Sequence, residues 1–174
     1  MIWFVRVFLP DHKDTQNLLK PEPKYSPEAA LIKLRRYCAY QERCHQEVKL
    51  KLASWFIYGQ EQDRLTAQLI DEGFLNEERF AKAWAGGKFR TKGWGKKKIV
   101  NILKQKGISE YLIRVSLKEI EDKDYGLKLE ALIQKKHALM KDEQAHIQKQ
   151  KLARFAIGKG YEPDAVWELV NRMV

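Results

Sequence analysis

Between Arg79 and Ser109 the chain reads RFAKAWAGGKFRTKGWGKKKIVNILKQKGIS, thirty-one residues with ten Lys or Arg and no Asp or Glu. The formal net charge of the whole 174-residue chain is +10, so everything outside this window sums to zero and the basic excess is local. Clustered cations repel one another, and the chemistry they suit is binding a polyanion, above all nucleic acid. Lys96, Lys97 and Lys98 fall in the expected opening turn of a helix. Positive charge there meets the positive end of the dipole, at a cost of roughly 0.3–1 kcal/mol per residue. Folding alone would not choose them. Unpaired N–H groups at that helix start, glycines at 93 and 95 that allow close backbone approach, and three ammonium groups make a candidate phosphate site. Helical spacing puts Lys97 and Lys104 on one outward face with Asn101, and Lys88, Arg90 and Lys92 lead into it. Trp94 could stack on an unpaired base for about 1–3 kcal/mol, although packing its loop onto a neighbouring helix is the commoner use of such a residue. A weaker second patch of Arg35, Arg36 and Arg43, with Lys49 and Lys51, could extend the track, diluted by Glu42 and Glu47. The bland alternative for all of these is a solvated charged face.

Catalytic readings fail one by one. Gly93-Trp94-Gly95-Lys96 lacks the GxxxxGK[ST] spacing that wraps a triphosphate, and no strand leads into it. Cys38, Cys44 and His45 have neither CxxC spacing nor a second pair to complete a zinc site. His12, His137 and His146 have no nucleophile or carboxylate partner in a recognisable motif. No enzyme activity, metal or cofactor is expected. Two cysteines are too few for a secreted disulfide framework and point to a reducing, cytoplasmic setting. The apolar opening MIWFVRVFL is interrupted by Arg6 and ended by Pro10, which argues against a signal peptide, and no apolar run reaches the roughly 20 residues of a membrane span.

The elements that must carry the basic residues are helices. Residues 1–25 form a leader in which Trp3, Val5 and Val7 alternate with Phe4, Arg6 and Phe8, a short-strand pattern unless the segment is disordered, and Pro10, Pro21 and Pro23 then mark a linker. From Ser26 the pattern is helical throughout. Ser26 is an N-cap, followed by Pro27, Glu28 and an apolar stripe of Ala30, Leu31, Leu34, Tyr37 and Cys38. A second helix starts near His45 with Val48, Leu52 and Trp55 inward, and a third near Glu61 with Leu65, Leu69 and Ile70, closed by Gly73. Asn76 caps the next, with Phe80, Ala83 and Trp84 inward. Helix resumes at Lys96 on Ile99, Ile102 and Leu103, stops at Gly107, and restarts behind Ser109 with Leu112, Ile113, Leu117 and Ile120. Leu129, Leu132 and Ile133, then 147–157, then 163–173, supply the last three helices.

Superposing these groups exposes a repeat. Val48, Leu52, Ile57 and Leu69 match Ile99, Leu103, Ile108 and Ile120 at an offset of 51, and Leu152, Ala156, Tyr161 and Met173 match those at 53. The phrase Lys106-Gly107-Ile108-Ser109 returns as Lys159-Gly160-Tyr161-Glu162. The expected fold is all-α: a tandem array of three-helix repeats over 26–74, 75–123 (the basic one) and 124–174, each unit borrowing burial from its neighbour.

The run Gly73-Phe74-Leu75-Asn76-Glu77-Glu78-Arg79-Phe80-Ala81, the basic Lys88-Phe89-Arg90 and Gly-Trp-Gly-Lys segments, and Lys106-Gly107-Ile108-Ser109 closely resemble the RecX family of bacterial regulators of the RecA recombinase. The resemblance covers about residues 26–174. It implies an elongated, curved array that binds RecA filaments and single- or double-stranded DNA, inhibits the recombinase without catalysis of its own, and so modulates recombinational repair and the SOS response. A monomer is expected. The first repeat departs from the pattern, with Trp55-Phe56-Ile57 where a glycine usually precedes the turn. An independent helix-turn-helix-like DNA-binding protein is the competing reading, and a scaffold for an acidic protein a third. A patch made mostly of Lys suits phosphates better than base edges.

Overall fold

Three side chains set the helix starts that the sequence marks most clearly. The Ser26 hydroxyl accepts from the Ala29 N–H, Asn76 Oδ1 from Arg79, and the Ser109 hydroxyl from Leu112; such a cap contributes about 1 kcal/mol. The computed structural model describes residues 21–140 and 144–174. The strand expected at Trp3–Phe8 lies outside them. All regular structure among the described residues is helical: α1 Pro27–Tyr40, α2 His45–Ala53, α3 Gly59–Asp71, α4 Glu77–Lys92, α5 Lys96–Gln105, α6 Glu110–Leu117, α7 Asp122–His137, α8 Ala145–Lys159 and α9 Pro163–Met173. None of them is long and apolar enough to cross a membrane.

The helices bury their stripes in three successive cores, one for each group of three. Leu34, Val48, Leu52, Leu65 and Leu69 centre the first, Phe80, Ile99, Leu103 and Ile113 the second, and Ile133, Leu152, Tyr161 and Val166 the third. Two inward assignments are corrected. Ala83 and Ile70 are exposed, because α4 turns Ala81, Ala85 and Gly86 inward beside Phe80 and Phe89, while α3 buries Thr66 beside Leu65 and Leu69. Thr66 is tolerated there because its hydroxyl donates to the Gln62 carbonyl.

The repeat is visible at atomic level in the turn after the second helix of each group. The Ile57 N–H donates to the Leu52 carbonyl at 3.1 Å, Ile108 to Leu103 at 3.1 Å, and Tyr161 to Ala156 at 3.3 Å. The residue before each of these donors is left-handed: Phe56 at φ 61°, Gly107 at 76° and Gly160 at 96°. The first unit therefore keeps the turn geometry without the glycine, and Phe56 holds a conformation that costs an L-residue roughly 1–2 kcal/mol. Among the described residues nothing lies within 4 Å of where a Cβ on Gly107 would stand. Gly107→Ala is thus expected to lower stability by about 1 kcal/mol through the backbone alone, and Phe56→Gly to raise it by up to about 1 kcal/mol after the glycine entropy term. Urea midpoints at unchanged m-value are the measurement.

Neighbouring cores are stitched together rather than merely adjacent. Cys44, in the α1–α2 connection, is buried in the second core. Around it Glu42 pairs with Arg79, Glu47 with Lys106 at 2.7 Å and Glu77 with the His45 ring at 3.3 Å. Lys106, at the end of α5, is thus half of a cross-unit pair. Burial pushes the Cys38 thiol up to about 11, so at neutral pH it is an apolar core group rather than a nucleophile.

Candidate nucleic-acid interface

The GWGKKK segment turns out to be a joint. Gly93 ends α4 in the left-handed region at φ 60°, and its N–H donates to the Phe89 carbonyl. The chain then meets the turn between α8 and α9 backbone to backbone: the Gly95 N–H donates to the Lys159 carbonyl at 2.9 Å and the Lys97 N–H to the Gly160 carbonyl at 3.1 Å. Between them, the Lys96 N–H donates to the Tyr125 hydroxyl at 3.0 Å, which donates in turn to a Glu162 carboxylate oxygen at 2.7 Å. The expectation of unpaired N–H groups at this helix start is therefore corrected, since the third unit occupies those of Lys96 and Lys97. The glycines serve the same contact, for a Cβ on Gly95 would run into the Gly160 carbonyl, and one on Gly160 into Lys98.

Aromatic rings fill the space behind this contact. Tyr125 stacks on Tyr161 with ring centres 4.9 Å apart and lies 6.0 Å from Phe89, so its ring belongs to both the second and third cores. Burial, then its bond to Glu162, pushes the Tyr125 phenol far above the ordinary range, and burial pushes Tyr161 up to about 12. Both stay neutral over the pH range in which the protein works.

The candidate cations divide accordingly. The Lys96 ammonium pairs with Asp122 at 2.6 Å and lies 4.8 Å from the centre of the Tyr125 ring. That pair holds the Asp122 carboxyl below the usual carboxylate range. Lys98 sits over Trp94 at 4.8 Å and points its ammonium at the Gly158 carbonyl. Both are joint residues first. Lys104 pairs with Glu110 at 3.0 Å and depresses that carboxyl in the same way. Lys97, Asn101 and Lys104 share the exposed face expected of them. Among the described residues Arg90, Lys92 and Lys97 are exposed and have no carboxylate within ion-pair distance; the Arg90 guanidinium lies along its own helix, 2.8 Å from where a Gly86 Cβ would be.

Trp94 packs edge-on to Trp84, ring centres 5.7 Å apart, and belongs to the rim of the second core. Lys88 lies 5.5 Å from the Trp84 ring and 5.7 Å from that of Trp94. In the first unit the basic patch is largely spent: Arg35 bonds both oxygens of Glu72, Arg43 lies 3.9 Å over the Tyr37 ring, and Lys49 pairs with Asp63. Arg36 is exposed. Two cations that the linear charge count passes over join the middle unit instead. The Lys128 ammonium donates to the Arg90 carbonyl and that of Lys159 to the Lys92 carbonyl, each at 3.1 Å. Both sit on the last turn of α4, where the helix dipole favours positive charge. Their separation in sequence hid them.

Comparison with known proteins agrees with this architecture. The family models for the second and third three-helix domains of RecX match residues 76–117 and 128–170. Regulatory protein RecX of Clostridium perfringens strain 13 is 30% identical over 136 residues, 75% of this chain and 62% of that protein. Its counterpart in strain SM101 is 31% identical over 107 residues, 60% of this chain and 50% of that one. This chain thus spans between half and two thirds of the length of these curated relatives. Crystal structures share the fold: RecX from Lactobacillus salivarius at TM-score 0.73 and 23% identity, covering 84% of this chain and 95% of that one, and another regulatory protein RecX at 0.75 and 19%, covering 84% and 71%. With matching domain models on its second and third units, homologous relatives and the same arrangement of helices, the chain belongs to the RecX family.

Proposed function

We propose that the chain is a non-enzymatic regulator that binds RecA–DNA filaments and inhibits the recombinase, so modulating recombinational DNA repair and the SOS response. The observation that carries this reading is membership of the RecX family, whose curated relatives are named regulatory proteins. The charge distribution supports it, because the joint uses Lys96 and Lys98 but leaves Arg90, Lys92 and Lys97 exposed without acidic partners among the described residues. In this reading the chain acts in the cytoplasm as a monomer of units 26–74, 75–123 and 124–174. The basic face of the middle unit (Lys88, Arg90, Lys92, Lys97, with Lys128 and Lys159 from the third) meets DNA or filament phosphates, and the flanking units contact successive RecA protomers. The cross-unit hydrogen bonds suit that task, since a rigid array presents its contacts at fixed spacing and loses less entropy on docking.

The test is direct. Added to a RecA filament on single-stranded DNA, the protein is expected to lower ATP hydrolysis and strand exchange at amounts stoichiometric with RecA or below. No change at stoichiometric amounts overturns the reading.

A further inference from the structure

Beside the basic face is a cleft of about 280 Å³ between the α1–α2 connection and the outer face of α4, lined by Gln41 and Glu42 on one wall and by Phe80, Ala83, Trp84, Gly87, Lys88 and Thr91 on the other. Its wall on α4 is unusual for a helix in water. Ala83, Gly87 and Thr91, four apart, lay a flat floor beside the Trp84 ring, with the Lys88 ammonium over that ring, 5.5 Å from its centre. Gly87 lies in the helix interior, where glycine costs about 1 kcal/mol relative to alanine, yet among the described residues no atom comes within 4 Å of where its Cβ would stand. Nothing in the packing of the described residues needs that glycine. Across the cleft, one Glu42 oxygen bonds Arg79, while the other is buried without a hydrogen-bond partner among the described residues. That oxygen has almost no accessible surface, so it meets a donor in the cleft once the Glu42 side chain turns toward it, and an unpaired carboxylate oxygen gains from doing so.

We propose that this cleft holds one unpaired nucleobase of a single strand, stacked against Trp84 over the bare floor at Gly87, with its amino group donating to Glu42 and its phosphate taken by Lys88. The inference rests on the reading of the neighbouring face as a phosphate-binding surface and names the form of nucleic acid it takes. Stacking on an aromatic ring needs a base out of the helix, so a duplex cannot use the slot. The carboxylate accepts from the exocyclic amine of cytosine, adenine or guanine, whereas thymine has no exocyclic amine and offers only its ring N3–H, flanked by two carbonyl oxygens that repel a carboxylate.

The test compares an oligo-dC single strand, an oligo-dT single strand and a duplex of equal length, with binding followed by anisotropy over a salt series. Gly87→Leu fills the slot from an open position, so the variant folds. It is expected to weaken oligo-dC binding by about tenfold, the order of one lost base–aromatic stack, with the salt slope and duplex affinity unchanged. Glu42→Gln is expected to narrow the preference for dC over dT. Trp fluorescence quenching by the single strand should weaken in parallel in Gly87→Leu. Unchanged single-strand binding in Gly87→Leu, or equal loss for single strand and duplex, overturns the slot and leaves the phosphate-binding face standing. If the unaltered protein binds none of the three probes at low salt, both fall.

Discussion

Gly95→Ala is expected to part the second and third units, with a fall of about 3 kcal/mol in unfolding free energy. The φ of Gly95 is −77°, open to any residue, so the cost is steric rather than conformational. A methyl group there would strike the Gly160 carbonyl and the Tyr161 nitrogen, which are backbone and cannot rotate away. The two chains must separate, at the 1–3 kcal/mol typical of overpacking. Separation also stretches the Gly95–Lys159 and Lys97–Gly160 hydrogen bonds, each worth roughly 0.5–1.5 kcal/mol net. Urea unfolding should show the loss, and amide exchange should show where it falls, with protection lost first at Lys96 and Lys97 and then along α9. Gly87→Ala is the internal control: with open space at its Cβ, it should stabilise by up to about 1 kcal/mol. An unchanged midpoint in Gly95→Ala, with Lys97 still protected, would refute the tight joint.

That joint marks the limit of what the chain discloses as a string of letters. Helix starts were legible because caps act locally: Ser26, Asn76 and Ser109 each serve an N–H three residues ahead. The repeat was legible because Leu52, Leu103 and Ala156 recur with their turns, and even Phe56 follows the backbone of its glycine counterparts. The partners of Gly95 and Lys96 were not. They lie 65 positions away at Gly160 and 29 away at Tyr125, and a glycine flanking lysines looks the same whether it admits a phosphate or a second backbone. Net charge also misleads at this range, because it counts Lys96 among free cations while the fold sets it against Asp122. Phe80 was legible on the inward face of α4, but Ala83 is displaced from it for a related reason: beside Phe80 and Phe89 that face uses Ala81, Ala85 and Gly86, which hydrophobic periodicity weighs too lightly.

The same division of lysines sets the largest expected effect on binding. Replacing Arg90, Lys92 and Lys97 together by Ala is expected to reduce the log–log salt slope of DNA affinity by roughly 2–2.7, at 0.7–0.9 per lost phosphate contact, and affinity at 0.1 M salt by about 100- to 500-fold. Stability should change little. Arg90 and Lys92 stand in the last turn of α4, where removing a cation loses a fraction of a kcal/mol, and Lys97 stands in the first turn of α5, where removal regains a similar amount. Lys96→Ala is predicted to behave in the opposite way: it leaves Asp122 unpaired and uncovers the Tyr125 ring, so it should disturb the joint more than the salt slope. Lys104→Ala should do little to either, because Glu110 already neutralises that ammonium. Titrating labelled DNA with each variant from low salt to 0.3 M separates the classes, and under the proposed function the triple variant should inhibit RecA ATP hydrolysis less as its affinity falls. A triple variant that binds more weakly at an unchanged slope would show that these side chains meet protein rather than phosphate, and would move the contact from DNA to the surface of the filament.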